Sequence, residues 1–482
     1  MIGRTKFWIV AALTAGYLSL GELAQNGFLK EDEPRYASIG RQMARSGDWI
    51  SPVLWGEPWF EKPPLIYWTT AAATRVGLHD EWAARLPVAL VSLAFLVFYY
   101  LRLRVFFGAD TAWAAAVMLA SSIGWVAYSH LAVPDLLLSA TLGAALLSMM
   151  SGWFVAAGIL LGLAILAKAL VPVALAAPVV VALLIADRSR WKGVLTMAAI
   201  ALAIALPWNI AMYQRFGRAF VDELYIRHHW QRFRTGEDLH GRPIWFYVPV
   251  LAAGLFPWIP MFALLFRPVQ WRDPARRMLF VWLTGGFAVL SVPAGKLPGY
   301  ILPLFPAAFA LIGREFAGLA SKTRLAFLAL CAWLAAGLAP AIEDPLVQAL
   351  QTGLSRASSA PNWKWMGIGA VGVVGVAATA LLARQKLDRP GWVALIAGTV
   401  FASFWWSKRL DVEVSSRFLW RTEWETHREQ ICIGDIHRAW RYGLNYYSET
   451  PLPDCDKEMR VWRLETDPAM GRPRQQVAEE SR

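Results

Sequence analysis

Charge is what this chain has little of. Only 17% of its 482 residues are Asp, Glu, Lys or Arg, against 57% hydrophobic, and its mean hydropathy is +0.39. A soluble domain carries nearer a quarter charged residues, so the composition excludes an ordinary water-soluble enzyme. Cysteine is rarer still: three in all, Cys331 in an apolar run and Cys432 and Cys455 in the C-terminal tail. Internal repeats and low-complexity stretches are also absent. Arg4 and Lys6 precede an apolar run from Phe7 to Leu20, but no small-residue cleavage site follows. That pattern reads as a first membrane span rather than a removable signal peptide.

What the chain does have is apolar length. Runs of roughly 17 to 22 residues recur, enough to cross a bilayer core about 30 Å thick as a helix. Gly and Pro inside them are tolerated by membrane helices. The 26 Trp residues, many near the ends of runs, fit an interfacial aromatic belt. The reading is about 13 spans, near 7–24, 83–101, 111–129, 132–150, 152–167, 169–186, 193–212, 244–266, 278–294, 298–313, 325–342, 364–383 and 391–406. The expected fold class is an all-α polytopic membrane protein.

A net charge of +12 would suggest nucleic acid in a soluble protein. Here the cations sit in short loops between spans, where they set topology, and no nucleic-acid partner is expected. Those loops hold Arg102 and Arg104; Arg188, Arg190 and Lys192; Arg267, Arg272, Arg276 and Arg277; Lys322 and Arg324; Arg384, Lys386 and Arg389. They are expected in the cytoplasm together with the N-terminus. The longer segments 25–82, 213–243 and 343–363, and the tail, are then external. Two domains are expected: a membrane domain over 1–406 and an external domain over 407–482. In the tail, Gln430–Ile433 and Val461–Leu464 read as short strands and His437–Tyr447 as a helix, giving a small α/β unit. A Cys432–Cys455 bridge fits an oxidising exterior and would contribute roughly 3 kcal/mol by closing its loop; two free thiols are the alternative.

Chemistry-bearing residues gather on the external side. Tyr36, Ile39 and Met43 recur at helical spacing, with Arg35, Gln42 and Arg45 on other faces. They predict an amphipathic helix on the membrane surface. Asp32 is either its cap, with Pro34 in the first turn, or a functional acid. Glu61-Lys62-Pro63-Pro64 reads as a rigid charged turn, with snorkelling the plain alternative for Lys62. Asp135 stands at the outer entrance of a span, Lys168 between two spans, His228 and His229 in the second long loop, and Lys296 in a Gly- and Pro-bounded turn. Acids, histidines and cations meeting one membrane face suit a phosphorylated lipid and chemistry on its head.

These strings carry a resemblance. Asp32-Glu33-Pro34-Arg35-Tyr36-Ala37, Glu61-Lys62-Pro63-Pro64, His229-Trp230-Gln231-Arg232-Phe233 and Lys296-Leu297-Pro298-Gly299-Tyr300-Ile301-Leu302-Pro303 resemble, in order, the motifs of the aminoarabinose-to-lipid-A transferases. Those are relatives of the protein O-mannosyltransferases within the GT-C membrane glycosyltransferases. The resemblance spans about residues 7–310; beyond it the likeness is one of layout only. It implies Asp32 as the principal catalytic or orienting acid and Asp135 as a second. It implies Arg35, Tyr36, Lys62, Lys168, Arg232, Lys296 and Tyr300 around the carrier phosphate and donor. Glu61 and His229 would match a pair able to bind a divalent metal, zinc being the expected ion; a plain Glu–His contact is the alternative. The implied donor is an undecaprenyl-phosphate-linked sugar, often 4-amino-4-deoxy-L-arabinose. The implied acceptor is lipid A, on the periplasmic face of a bacterial inner membrane. A GT-C enzyme with a protein or other glycan acceptor is the runner-up. A secondary transporter should carry ionisable or broken segments near mid-span; here the ionisable residues sit at one face. A scaffold protein has no need of charged, proline-locked external loops.

Overall fold

The computed structural model describes residues 23–231, 241–267, 273–352, 362–371, 409–456, 462–467 and 473–477, with Leu20, Ala360 and Val374 as isolated positions. The fold is mostly helical, as it must be where no water can satisfy backbone groups. Four described helices are long and apolar enough to cross a membrane: Asp80–Phe107, Arg188–Phe216, Pro298–Ala317 and Ser321–Ala341. Ala109–Ser121 and Ile123–Ser129 make a fifth if counted as one span bent by 61°. Pro134–Met150, Phe154–Lys168 and Val171–Ala186 are apolar but shorter. The stretch read as one span over 244–266 is broken into Ile244–Phe246, Tyr247–Gly254 and a tight 3-10 segment, Ile259–Phe266. The expected spans 7–24 and 391–406, and most of 364–383, fall largely or wholly outside the described residues.

Helix Pro134–Met150 is central; from Leu136 to Met149 all its side chains are buried. Its neighbour Phe154–Lys168 packs onto Trp191–Phe216 through small residues. A Cβ on Gly158 would fall 2.7 Å from the Met197 carbonyl, and one on Gly162 would fall 2.8 Å from Ile204 Cβ. Only glycine permits that approach, the usual device of membrane helix pairs. The outward stripes, including Val97, Leu101 and Val105 on one helix and Leu202, Leu206 and Ile210 on another, stay apolar and exposed.

The two ends of the bundle differ. At one end Arg276 bonds Glu315 at 2.6 Å, Arg314 bonds Asp273 at 3.0 Å and lies over Phe107, and Arg102 lies over Trp153. These are the loops expected to be cytoplasmic. The acids of the first loop, Asp135, Lys168 and Tyr300 collect at the other end.

The C-terminal segment forms a small α/β unit. Strand Ile431–Ile433 pairs in parallel with Trp462–Thr466, which pairs antiparallel with Pro473–Val477. The third strand has no counterpart in the sequence expectation. Cys432 and Cys455 are bridged, and helix Arg438–Tyr447 lies inside the loop they close. That unit sits on the first loop. Arg417 donates to the Ala24 carbonyl at 2.7 Å and to that of Gln25, and Asp411 accepts from the Gly27 N–H at 2.6 Å.

The first-loop helix, Asp32–Ser46, departs from expectation. It is buried on more than one apolar face: Glu33 to Gly40, Met43 and Ala44 are all covered by protein. Helix Leu65–Arg75 covers one side, so closely that a Cβ on Gly40 would meet Thr70 Cβ at 2.6 Å, and the C-terminal helix covers another. Nor does Asp32 cap it: Asp32 is already helical, and the preceding Glu31 makes no side-chain cap bond.

Candidate active site

Two helix starts and one turn build the first half of the site. Helix geometry puts Asp32 and Arg35 three residues apart on one face, and their side chains bond. Arg35 also donates to Glu61 Oε2 at 3.1 Å, while Lys62 Nζ donates to Glu61 Oε1 at 2.8 Å. Pro63 and Pro64 then start helix Leu65–Arg75, which fixes the Glu61–Lys62 turn. The acids differ in access: the Asp32 side chain is 43% exposed and that of Glu61 10%. Asp32 is therefore the carboxylate open to a substrate. Lys62 is 13% exposed and tied to Glu61, so it does not snorkel. Burial alone would weaken the charge on Arg35, but Glu61, Tyr36 and Asp32 push its pKa above the ordinary value. Tyr36 is buried beside Tyr67, ring centroids 5.8 Å apart, and burial raises its phenol pKa.

The second half is Asp135 with Lys168. Pro134 opens its helix and leaves Asp135 in the first turn; Lys168 ends the next helix, before Ala169 with a left-handed φ of 45°. Each charge sits at the helix end that suits it. Lys168 Nζ donates to Asp135 Oδ1 at 2.7 Å and lies 4.2 Å from the centre of the Tyr300 ring. Tyr128 adjoins the second half, packed on the turn that carries Tyr300. Its hydroxyl rests on Gly299, where a Cβ would lie 2.1 Å away. The glycine between Pro298 and Tyr300 is thus required by contact.

Other expected residues fare differently. Lys296 is buried and spends two of its three hydrogens on backbone carbonyls, of Arg242 at 3.1 Å and Pro293 at 2.5 Å. It clamps a loop beside the Gly241–Gly295 bridge, and burial lowers its pKa. Arg232 and the His229 side chain lie outside the described residues; the His229 backbone belongs to the wide π-helical turn Asp222–Gln231. Both Glu61 oxygens are occupied by cations, and among the described residues no group of three or more His, Cys, Asp or Glu is placed to hold a metal ion. Glu61 as placed does not fit a zinc ligand.

Sequence reasoning missed Arg85. It holds Glu33 through two bonds of 2.8 Å and donates to the carbonyls of Leu23, Asn26 and Gly27. Glu33 Oε1 also accepts from the Ala132 N–H at 2.8 Å, just before Asp135. The one available signal was an arginine inside an apolar run.

Comparison with known proteins shows what this chain is similar to. The dolichyl-phosphate-mannose-protein mannosyltransferase family matches residues 61–210. An undecaprenyl phosphate-alpha-4-amino-4-deoxy-L-arabinose arabinosyl transferase of Pseudomonas paraeruginosa is 28% identical, over 97% of this chain and 92% of its own. Its counterpart from Pectobacterium carotovorum is 28% identical, over 86% and 82%. Among solved structures, ArnT from Cupriavidus metallidurans bound to undecaprenyl phosphate superposes with a TM-score of 0.77 at 24% identity, covering 97% of this chain and 94% of that one. The archaeal oligosaccharyltransferase AglB from Archaeoglobus fulgidus shares the fold at a TM-score of 0.52, with 11% identity and coverage of 99% and 74%. Over nearly its whole length this chain is therefore similar to undecaprenyl phosphate-aminoarabinose arabinosyl transferases, and it shares the fold of one solved member.

Proposed function

We propose that the protein transfers 4-amino-4-deoxy-L-arabinose from undecaprenyl phosphate to lipid A on the periplasmic face of the inner membrane. The observation that carries this reading is the Asp32–Arg35–Glu61–Lys62 cluster: one accessible carboxylate beside two cations, at the bundle end opposite the basic loops. The leaving group is a lipid phosphate. It needs cations rather than a general acid, and Lys62 keeps a hydrogen for it beyond the Glu61 bond. Arg35, Lys168 and Tyr300 line the same end and take the donor; Tyr36, buried against Tyr67, and Lys296 support that wall from behind. A lipid A phosphate is already ionised at neutral pH and needs no base. With that acceptor, Asp32 binds the donor's ammonium group and orients the sugar, and Asp135, held by Lys168, supplies the second negative charge. With a hydroxyl acceptor, Asp32 instead takes its proton.

The division into a membrane domain over 1–406 and a periplasmic domain over 407–482 belongs to the same reading, as does a cytoplasmic N-terminus. Its support is the separation of the short basic loops from the acid-bearing ones. The test is mass spectrometry of lipid A from cells with and without the gene. A mass increment of one aminopentose that depends on the gene is the expected result; identical lipid A in both, with an altered protein or other glycan, would move the acceptor elsewhere.

A further inference from the structure

The C-terminal unit does more than cover the first loop. Its helix Arg438–Tyr447 puts the Tyr442 ring 5.4 Å from the Arg35 guanidinium carbon, with Trp59 at 5.5 Å and Tyr36 at 5.7 Å. Behind Tyr442 stands Trp55, ring centroids 5.2 Å apart. Trp55 turns the short hairpin Val53–Leu54/Glu57–Pro58 with a left-handed φ of 52°. A bulky residue keeps that conformation only where its surroundings impose it. The helix itself is fixed several times over. Arg438 bonds Glu31 at 2.5 Å, Arg41 donates to the Tyr446 carbonyl at 2.9 Å, and Tyr447 donates to Glu81 at 2.6 Å while accepting from the Phe28 N–H at 2.8 Å. The Cys432–Cys455 bridge closes the loop around it.

Arg35 is the group shared between Asp32 and Glu61. A guanidinium is planar, so an aromatic ring against it restricts the plane in which its N–H groups point. We propose that Tyr442 is a positioning residue for the transfer reaction: its ring fixes the Arg35 guanidinium and, through it, the open carboxylate of Asp32. The proposal rests on the function given above. It assigns the effect to the ring, not the hydroxyl.

The experiment compares purified full-length wild type with Tyr442→Phe, Tyr442→Ala and Arg441→Gln. Arg441 lies on the same helix but bonds Asp454, so its variant reports general damage to the helix. Tyr442→Ala is expected to lower kcat about ten- to a hundredfold through misplacement of the acid. The KM for the undecaprenyl-phosphate donor should rise by less than kcat falls, and the unfolding midpoint should stay near wild type. Tyr442→Phe should retain wild-type kcat. Wild-type kcat in Tyr442→Ala, a loss matched by Arg441→Gln, or a Phe variant as impaired as the Ala variant would each overturn the proposal. Exchange of the Arg35 Nε–H, read by NMR, supplies a second measurement that needs no turnover. It should speed up in Tyr442→Ala alone, and equal exchange in all four proteins would overturn the proposal. If wild type transfers no aminoarabinose, the function falls while this exchange still decides Tyr442.

Discussion

Glu33 and Arg85, 52 positions apart, form a two-bonded ion pair sealed from solvent, with side-chain exposures of 1% and 2%. All five guanidinium hydrogens are used, two on the carboxylate and three on carbonyls of residues 23–27. Removing one partner leaves a buried charge uncompensated. Arg85→Met and Glu33→Gln should each cost about 3–5 kcal/mol of stability. Thermal unfolding in detergent checks this. Arg85→Lys should fare little better, since an ammonium cannot reproduce the fork.

Asp32→Asn tests the open carboxylate. Since Asp32 caps no helix end, the folded protein should be unaffected and transfer should fall by about 10²- to 10⁴-fold. Activity assay beside an unfolding curve separates the two readouts. Full activity would remove Asp32 from the chemistry.

The Asp135–Lys168 pair lies at a bundle end with side-chain exposures of 15% and 9%. Asp135→Asn and Lys168→Met alone should each destabilise by about 3 kcal/mol. The double variant should lose less than the sum, and a double-mutant cycle on unfolding free energies measures the difference. Simple additivity would mean the pair does not couple.

Chelation is expected to leave transfer unchanged, because Arg35 and Lys62 already hold both oxygens of Glu61. Activity assayed after dialysis against a chelator decides this. Loss restored by zinc would show that Glu61 changes partners when substrate binds.

Asp48 gives a pH-dependent contact. Slight burial pushes its pKa up, but the Ile50 and Ser51 N–H groups, the Ser51 hydroxyl and Arg215 outweigh that and hold it below the usual carboxylate value. A depressed folded pKa contributes stability above the unfolded value of about 4, lost as pH falls through the folded one. The protection of the Ile50 and Ser51 amides against hydrogen exchange, relative to their intrinsic rates at each pH, should therefore fall on acidification, and Asp48→Asn should abolish the step.

The helices were legible because apolar length and period are local properties. So were the tail's strands near Ile431 and Trp462 and its helix at Arg438. Partnerships set by distant segments were not. Asp32 looks like a cap from its own neighbourhood, yet Arg35 captures it. Lys296 looks like a cavity cation, yet two carbonyls lie nearer. The helix at Tyr36 looks amphipathic, yet residues some 400 positions away bury its polar side, as Arg41 bonded to the Tyr446 carbonyl illustrates. Tyr442 gives no signal at all, since its meaning depends on Arg35.

That long reach has a consequence for biosynthesis. The acid-bearing loop leaves the ribosome early, while the helix that packs on it follows 405 residues after Arg41. Throughout the intervening translation and insertion, the loop's buried arginines and carboxylates lack part of their cover. The site should therefore be complete only once the last segment has folded onto the loop and been bridged. A nascent chain cut short before that point would hold Asp32 and Arg35 without the helix that packs on them.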